Sequence, residues 1–143
     1  MQRLYRFEAQ DGGFGPFVDR PARADLTALG IHELLDLADV VAPDAAVLAR
    51  AADVLAARLP EAPAQRLLAV AALRRLGRGA DLEVDLAGDD AYLLATAVNL
   101  GLLDDAGAAD AVRRLASLVA WTDDVAHWTS RTVSATTGVR ASD

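Results

Sequence analysis

The sequence predicts an all-α fold in which inner and outer helices alternate, and three observations support this prediction. Alanine makes up 32 of the 143 residues and aromatic residues only 5%, a composition that favours close-packed helices over sheet. Apolar residues recur at helical spacing in five segments, which begin or end near aspartates and prolines. Some segments are apolar on all sides and must be buried on all sides, whereas others are apolar on one face and bury only that face.

Three helices are predicted in the first half of the chain. The first runs from Ala24 to Asp39, and the third, from Ala64 to Leu76, is almost wholly apolar at its centre and stops at Gly77. The second runs from Asp44 to Leu59 between two prolines, which cannot continue a helix. It is amphipathic, with a polar face formed by Arg50, Asp53 and Arg58.

Two more helices are predicted in the second half. The segment from Asp90 to Leu103 is apolar nearly all round, whereas the segment from Ala108 to Ala120 is amphipathic. The expected apolar face of the latter consists of Val112, Leu115, Ala116 and Val119. The chain order is then inner, outer, inner, a linking segment from Asp81 to Gly88, inner and outer. That order predicts two layers of helices, since a plain four-helix bundle would make every helix amphipathic.

We expect a single domain over residues 1–143, with a Gly-rich turn at 10–23 and helices within 24–121. Residues 122–143 contain little apolar periodicity, which predicts a Ser/Thr-rich loop or a truncated repeat. The lead-in from Val139 to Asp143 is similar to the one from Ala22 to Asp25. We therefore expect that a further inner helix would begin where the chain stops, as in a fragment of a larger repeat protein.

Composition excludes several classes of function. The net charge of −7 argues against a nucleic-acid partner, which normally meets a basic patch. The basic residues are all arginine, and their clusters at 74–78 and 113–114 are expected to complement helix C-termini or to lie on solvated faces. The absence of cysteine removes disulfides, zinc–thiolate sites and thiol catalysis. The apolar runs are short and interrupted, so neither a signal peptide nor membrane insertion is predicted.

The Gly-rich turn from Gln10 to Phe17 is the most distinctive local motif. It is not a phosphate-binding loop, because no strand is predicted before it and it lacks both the G-x-G-x-x-G spacing and the lysine of a P-loop. Its glycines, Gly12, Gly13 and Gly15, are expected to permit positive φ. Phe14 and Phe17 are expected to wedge between helices.

The polar residues that could support chemistry do not form a catalytic or metal-binding set. The acidic run at 81–90 lacks the spacing of an EF-hand, and Asp89 or Asp90 is explained as the N-cap of the fourth helix. The two histidines, His32 and His127, have no catalytic or metal-ligand partners at a characteristic spacing. We expect His32 to be a helix residue with a local hydrogen bond and His127 to lie in a loop, with no catalytic residue, metal or cofactor. Asp104–Asp105 and Asp123–Asp124 are likewise expected at helix ends and in a loop.

One weak candidate for binding remains near the end of the chain. Trp121 and Trp128, together with nearby Thr and Ser residues, could form a platform for a carbohydrate or a peptide. The alternative is packing of these residues between helices in a long loop.

Taken with the helix order, four parts of the sequence resemble the α/α-toroid proteins. These are the Gln10–Gly15 turn followed by Leu26–Ala28, the inner-type segments at 67–73 and 91–95, and the Ser/Thr-rich stretch from Trp128 to Thr137. The superfamily comprises the prenyltransferase and squalene-cyclase repeats and the thioester-type domain of alpha-2-macroglobulin-like proteins. The bacterial macroglobulin type is the most similar, which implies a partial or open α/α toroid. No thioester residue transfers, because this chain has no cysteine.

The resemblance implies a non-catalytic structural or interaction module whose partner is the remainder of a larger toroid protein or a second copy of this chain. It implies an extracytoplasmic location if the parent is macroglobulin-like and a cytoplasmic one otherwise. One alternative is a fragment of a terpene-cyclase or prenyltransferase-type enzyme that binds an isoprenoid, although the acid motif and metal ligands of those enzymes have no match here. Another is a free-standing adaptor that binds a peptide through its Trp-bearing loop.

Overall fold

The computed structural model describes residues 7–17, 19–86, 88–123 and 125–128, and this part of the chain is mostly helical. It contains five α-helices and a small antiparallel sheet of two strands. The helices are α1 (Ala24–Asp36), α2 (Ala45–Ala57), α3 (Pro63–Arg75), α4 (Ala91–Asn99) and α5 (Asp105–Ser117), and the strands are β1 (Ala120–Thr122) and β2 (Val125–His127).

The chain divides into two compact units. The first contains α1, α2 and most of α3, and the second contains the start of α3, then α4, α5 and the sheet. Within the first unit α1 packs against α2, and within the second α4 packs against α5.

Apolar side chains from three helices form the core of the first unit. Ile31 and Leu34 of α1, Leu55 of α2 and Leu73 of α3 are each at most 1% exposed. Alanines at 28, 51, 52, 69 and 72 lie in the same cluster and are fully buried, which lets the helix backbones approach closely. Burying each large side chain contributes about 1.5–3 kcal/mol. The predicted polar face of α2 is confirmed, because residues 50, 53 and 58 are exposed.

Aspartate side chains begin three of the described helices. A carboxylate oxygen of Asp44 accepts from Ala46 N at 2.8 Å, and Asp90 accepts from Tyr92 N at 3.0 Å. Asp104 accepts from Gly107 N at 2.8 Å at the start of α5. Each bond satisfies a backbone donor that has no partner within the helix.

The observed helix ends differ from the predicted ones by a few residues. The first helix ends at Asp36 rather than Asp39, because the chain turns after Leu37. The fourth ends at Asn99 rather than Leu103, since Gly101 has a φ of +62° and Leu102 N bonds back to Ala97 O at 3.0 Å. This is the left-handed closure that glycine favours at a helix C-terminus. The second and third helices run over 45–57 and 63–75, close to prediction.

The expected apolar face of α5 is only partly correct, since Leu115 and Val119 are half-buried but Val112 and Ala116 are exposed. The helix spans Asp105–Ser117 rather than 108–120, because the Asp104 cap starts it earlier. Its buried residue is Ala111, whereas Val112 is 52% exposed and Ala116 is also exposed. In α4 the side chain of Tyr92 is 47% exposed, so this helix buries one face rather than all sides.

A β-hairpin occupies a segment that was expected to form no element of its own. Trp121 lies opposite Ala126, and Thr122 opposite Val125, across β1 and β2. Asp123 has a φ of +48°, a left-handed conformation that short polar residues adopt in tight hairpin turns. Asp124 and residues 129–143 lie outside the described residues, as does the expected truncated repeat.

Candidate functional site

The Gly-rich turn folds back on itself before it reaches α1. Ala9 N donates to Gly13 O at 2.7 Å, and Gly15 N donates to Phe7 O at 3.0 Å. Glu8 and Phe14 form an isolated antiparallel bridge inside the loop. The backbone of the turn is therefore tied internally.

Thr27 of α1 attaches this turn to the first helix. Its hydroxyl accepts from Phe14 N at 3.0 Å and donates to Arg23 O at 2.7 Å. Arg23 N in turn donates to Phe14 O at 2.9 Å. Thr27 is fully buried, and its hydroxyl satisfies a backbone donor that would otherwise be buried without a partner.

Close approach explains two of the glycines near this junction. A Cβ on Gly13 would lie 2.5 Å from Ala22 Cβ, and one on Gly30 would lie 2.7 Å from the ring of Phe14. Phe14, 3% exposed, packs on the helix surface that Gly30 leaves open. The expectation of positive φ holds for Gly12, at +91°, and is wrong for Gly13 and Gly15. The expected wedging is wrong for Phe17, which is 60% exposed.

Turn and helix together enclose an apolar groove with a volume of about 380 Å³. Phe7 and Leu29 are lining residues with exposed fractions of 48% and 46%. The volume falls within the range of about 300–1,000 Å³ usual for ligand pockets. Phe7, Phe14, Gly15, Pro16, Leu26, Leu29, Gly30 and Glu33 line it.

Glu33 is the single charged residue of this lining, and it is exposed. Four other acids on α1 and in or next to the turn are each paired with an arginine. Within the described residues the carboxylate of Glu33 accepts no hydrogen bond and forms no ion pair, so an acidic group borders an apolar surface. The paired acids are Glu8 with Arg50, Asp11 with Arg58, Asp25 with Arg23 and Asp36 with Arg75.

The groove was not predicted from the sequence. Leu26 and Leu29 were assigned to a helix covered on all sides, but Leu29 is nearly half exposed. Leu26, Leu29 and Glu33 are spaced as neighbours along one face of α1. That spacing was the available signal, although the contribution of Phe7 and Phe14 depends on how the turn folds.

His32 lies on another part of α1, against α3. It is 9% exposed; its Nε2 lies 3.3 Å from Leu68 O and its Nδ1 2.9 Å from an Arg75 nitrogen. Arg75 also bonds Asp36 at 2.6 Å. The expected local hydrogen bond is therefore wrong, because both partners belong to α3, which is distant in sequence. Burial lowers the pKa of His32 below its ordinary value.

The arginine clusters make specific contacts. Arg78 pairs with Asp53, and Arg74 donates to Leu82 O at 2.9 Å, both within the first unit. In the second unit Arg114 donates to Asp89 and to the carbonyl oxygens of residues 86 and 88. The expectation of solvated or dipole-complementing side chains is therefore too simple, since these cations connect loops to helices.

Two of the acidic residues at 81–90 hold structural positions. Asp90 caps α4 and Asp89 pairs with Arg114. Among the described residues no three His, Cys, Asp or Glu side chains are grouped so that they could hold a metal ion.

The two tryptophans lie at the hairpin of the second unit. Trp121 in β1 is 70% exposed, and Trp128 is 47% exposed. The indole N–H of Trp128 donates to Leu115 O at 2.9 Å, which anchors this side chain to α5. His127 lies in β2 and not in the expected loop.

Within the described ranges, none of the helices is both long and apolar enough to cross a membrane. No family model matches the chain, and no curated protein or solved structure is significantly similar to it.

Proposed function

We propose that this chain is a non-catalytic helical interaction module built as part of an α/α toroid, and that its apolar surface packs on a further helical layer. The observation that supports the proposal is the groove between the Gly-rich turn and α1. Two of its lining residues, Phe7 and Leu29, are 48% and 46% exposed, and Phe17, which follows the lining residue Pro16 in the sequence, is 60% exposed. Exposed apolar patches of this kind on a folded unit mark interaction surfaces.

The packing of consecutive helices also supports the proposal. α1 packs with α2 and α4 packs with α5, as consecutive inner and outer helices of a toroid would. The further layer would be the remainder of a larger toroid protein or a second copy of this chain.

The solution mass tests this function over a range of protein concentrations. We expect concentration-dependent association that the double substitution Phe17→Ser, Leu29→Ser weakens, because it removes exposed apolar area at the groove and next to it in the sequence. Val112→Ser is the matched control, since Val112 is 52% exposed but lies on α5 in the other unit. A stable monomer at every concentration would contradict the proposal, as would equal effects of the two changes.

The hairpin supports a second candidate, a peptide-binding adaptor. Trp121 is 70% exposed on a two-stranded sheet, and aromatic side chains are enriched at recognition surfaces. Trp128 is less suited to this role because its indole N–H already bonds α5. Here Trp121→Ala, rather than the changes at the groove, would abolish association with a partner.

A further inference from the structure

We infer that the groove between the Gly-rich turn and α1 binds an amphipathic helix that places apolar side chains in it and a basic residue beside Glu33. This inference rests on the proposed function and adds the chemistry of the partner. Three features support it: the apolar composition of the groove, the unpaired charge of Glu33 at its border and the spacing of Leu29 and Glu33 along α1.

The groove provides apolar area with little competition from polar groups. Seven of its eight lining residues have apolar side chains or none, the exception being Glu33. A ligand gains from this surface by removing apolar carbon from water. A strongly polar ligand would leave its own groups without partners there. The part of the partner that enters the groove is therefore aliphatic or aromatic.

Glu33 indicates that the partner carries a positive charge at the border of the groove. Four other acids of this unit each form an ion pair with an arginine, namely Glu8, Asp11, Asp25 and Asp36. Glu33 is not compensated by any described residue, and the whole chain carries a net charge of −7. A cationic partner is attracted by both the local and the overall charge, whereas an anionic one is repelled by both.

The spacing along α1 indicates the form of the partner. Leu29 and Glu33 are four residues apart, which is about 6 Å along a helix axis. A helix lying beside α1 presents an apolar side chain and a basic one at the same separation when these are also about one turn apart. Helix-in-groove recognition uses apolar anchors at this spacing. The partner is thus a helix with leucine-like anchors and an arginine or lysine one turn further on.

Two fluorescein-labelled peptides of about 14 residues, near the shortest length at which isolated helices form, test the inference. Both have leucines along one face, and the residue one turn beyond the central leucine is arginine in one and glutamate in the other. Fluorescence anisotropy with the full chain measures their affinities. We expect the arginine peptide to bind about tenfold more tightly, because one charge attracts Glu33 and the other repels it.

Two variants assign the effect to the groove. Glu33→Gln should bring the two peptides to within about twofold of each other, since only the overall charge then distinguishes them. Asp39→Asn is the matched control, because it changes the net charge equally at a residue that does not line the groove; it should preserve the tenfold preference. Leu29→Ala should weaken both peptides alike.

Four outcomes would overturn the inference. They are no saturable binding, equal affinities for the two peptides, an unchanged preference in Glu33→Gln, and binding only after Arg3 and Arg6 are both replaced by alanine. The last outcome would mean that Glu33 pairs with arginines of the chain's own N-terminal segment rather than with a partner. Saturable binding of the neutral isoprenoid farnesol without any peptide binding would favour the enzyme alternative instead. Self-association that is sensitive to Phe17→Ser, Leu29→Ser but comes without peptide preference would overturn this inference and leave the proposed function standing.

Discussion

Mild acidification should destabilise the first unit through His32. The imidazole donates from Nε2 to Leu68 O and accepts at Nδ1 from Arg75, so the neutral ring satisfies both contacts. A second proton on Nδ1 would place an N–H against the guanidinium. Burial lowers the pKa of His32, and the charge of Arg75 lowers it further; the bond to Leu68 and the charges of Asp36 and Glu33 oppose them.

The folded and unfolded states bind different numbers of protons at His32, and this difference makes the free energy of unfolding depend on pH. Below about pH 6.5 the unfolded chain binds a proton at this histidine while the folded chain resists it. The unfolded state then holds more protons, so the free energy of unfolding falls as the pH falls. For one group the slope is at most about 1.4 kcal/mol per pH unit. Ordinary carboxylates titrate near pH 4 to 4.5, which leaves the window from about pH 5 to 6.5 to the histidines.

Urea denaturation followed by far-ultraviolet circular dichroism measures this slope. The chain has two histidines, so His127→Gln is the natural control and should keep the slope of the unmodified protein. His32→Gln should flatten the slope across the window and cost about 1–2 kcal/mol at neutral pH, because glutamine restores one of the two hydrogen bonds at most. Parallel stability curves for the unmodified protein and His32→Gln would show that His32 does not cause the pH dependence.

Three further changes test the junction of turn and helix and one helix cap, each measured as the free energy of unfolding in urea. Thr27→Val should cost about 1–3 kcal/mol, because it leaves Phe14 N buried without an acceptor; no loss would mean that water replaces the hydroxyl. Gly30→Ala should destabilise the protein, because overpacking the new methyl group against Phe14 costs about 1–3 kcal/mol. The higher helix propensity of alanine offsets only about 1 kcal/mol of this cost. This loss should disappear in a Phe14→Leu background. Asp44→Ala should cost about 1 kcal/mol and Asp44→Ser much less, since serine also caps helices.

The helices were predictable because their signals are local. Apolar spacing placed all five helices of the described chain, and aspartates marked the starts of three of them. The ends were less predictable, since Gly101 stops α4 before its apolar run does. The toroid arrangement is a prediction that stays open, because it concerns how distant segments assemble.

The contacts of His32 and the groove could not be predicted for a different reason. Both depend on residues far apart in sequence, such as Arg75, which lies 43 positions from His32. Helical periodicity identifies which side chains share a face, but it does not identify what packs on that face. Leu29 lies in the same helix as Leu34, which is fully buried, and is nevertheless nearly half exposed on the groove.

The fold of the turn and the shape of the groove have a common origin at Gly30. The absence of a side chain there lets the ring of Phe14 pack on α1. The backbone N–H of Phe14 donates a hydrogen bond to the Thr27 hydroxyl. Phe14 covers the helix at Gly30 but not at the neighbouring Leu29, so the groove remains open beside it. Substitutions that move Phe14 should therefore change stability and peptide affinity together. A change at Glu33 removes no described hydrogen bond or ion pair, so it should alter affinity alone, and this difference separates a role in binding from a role in folding.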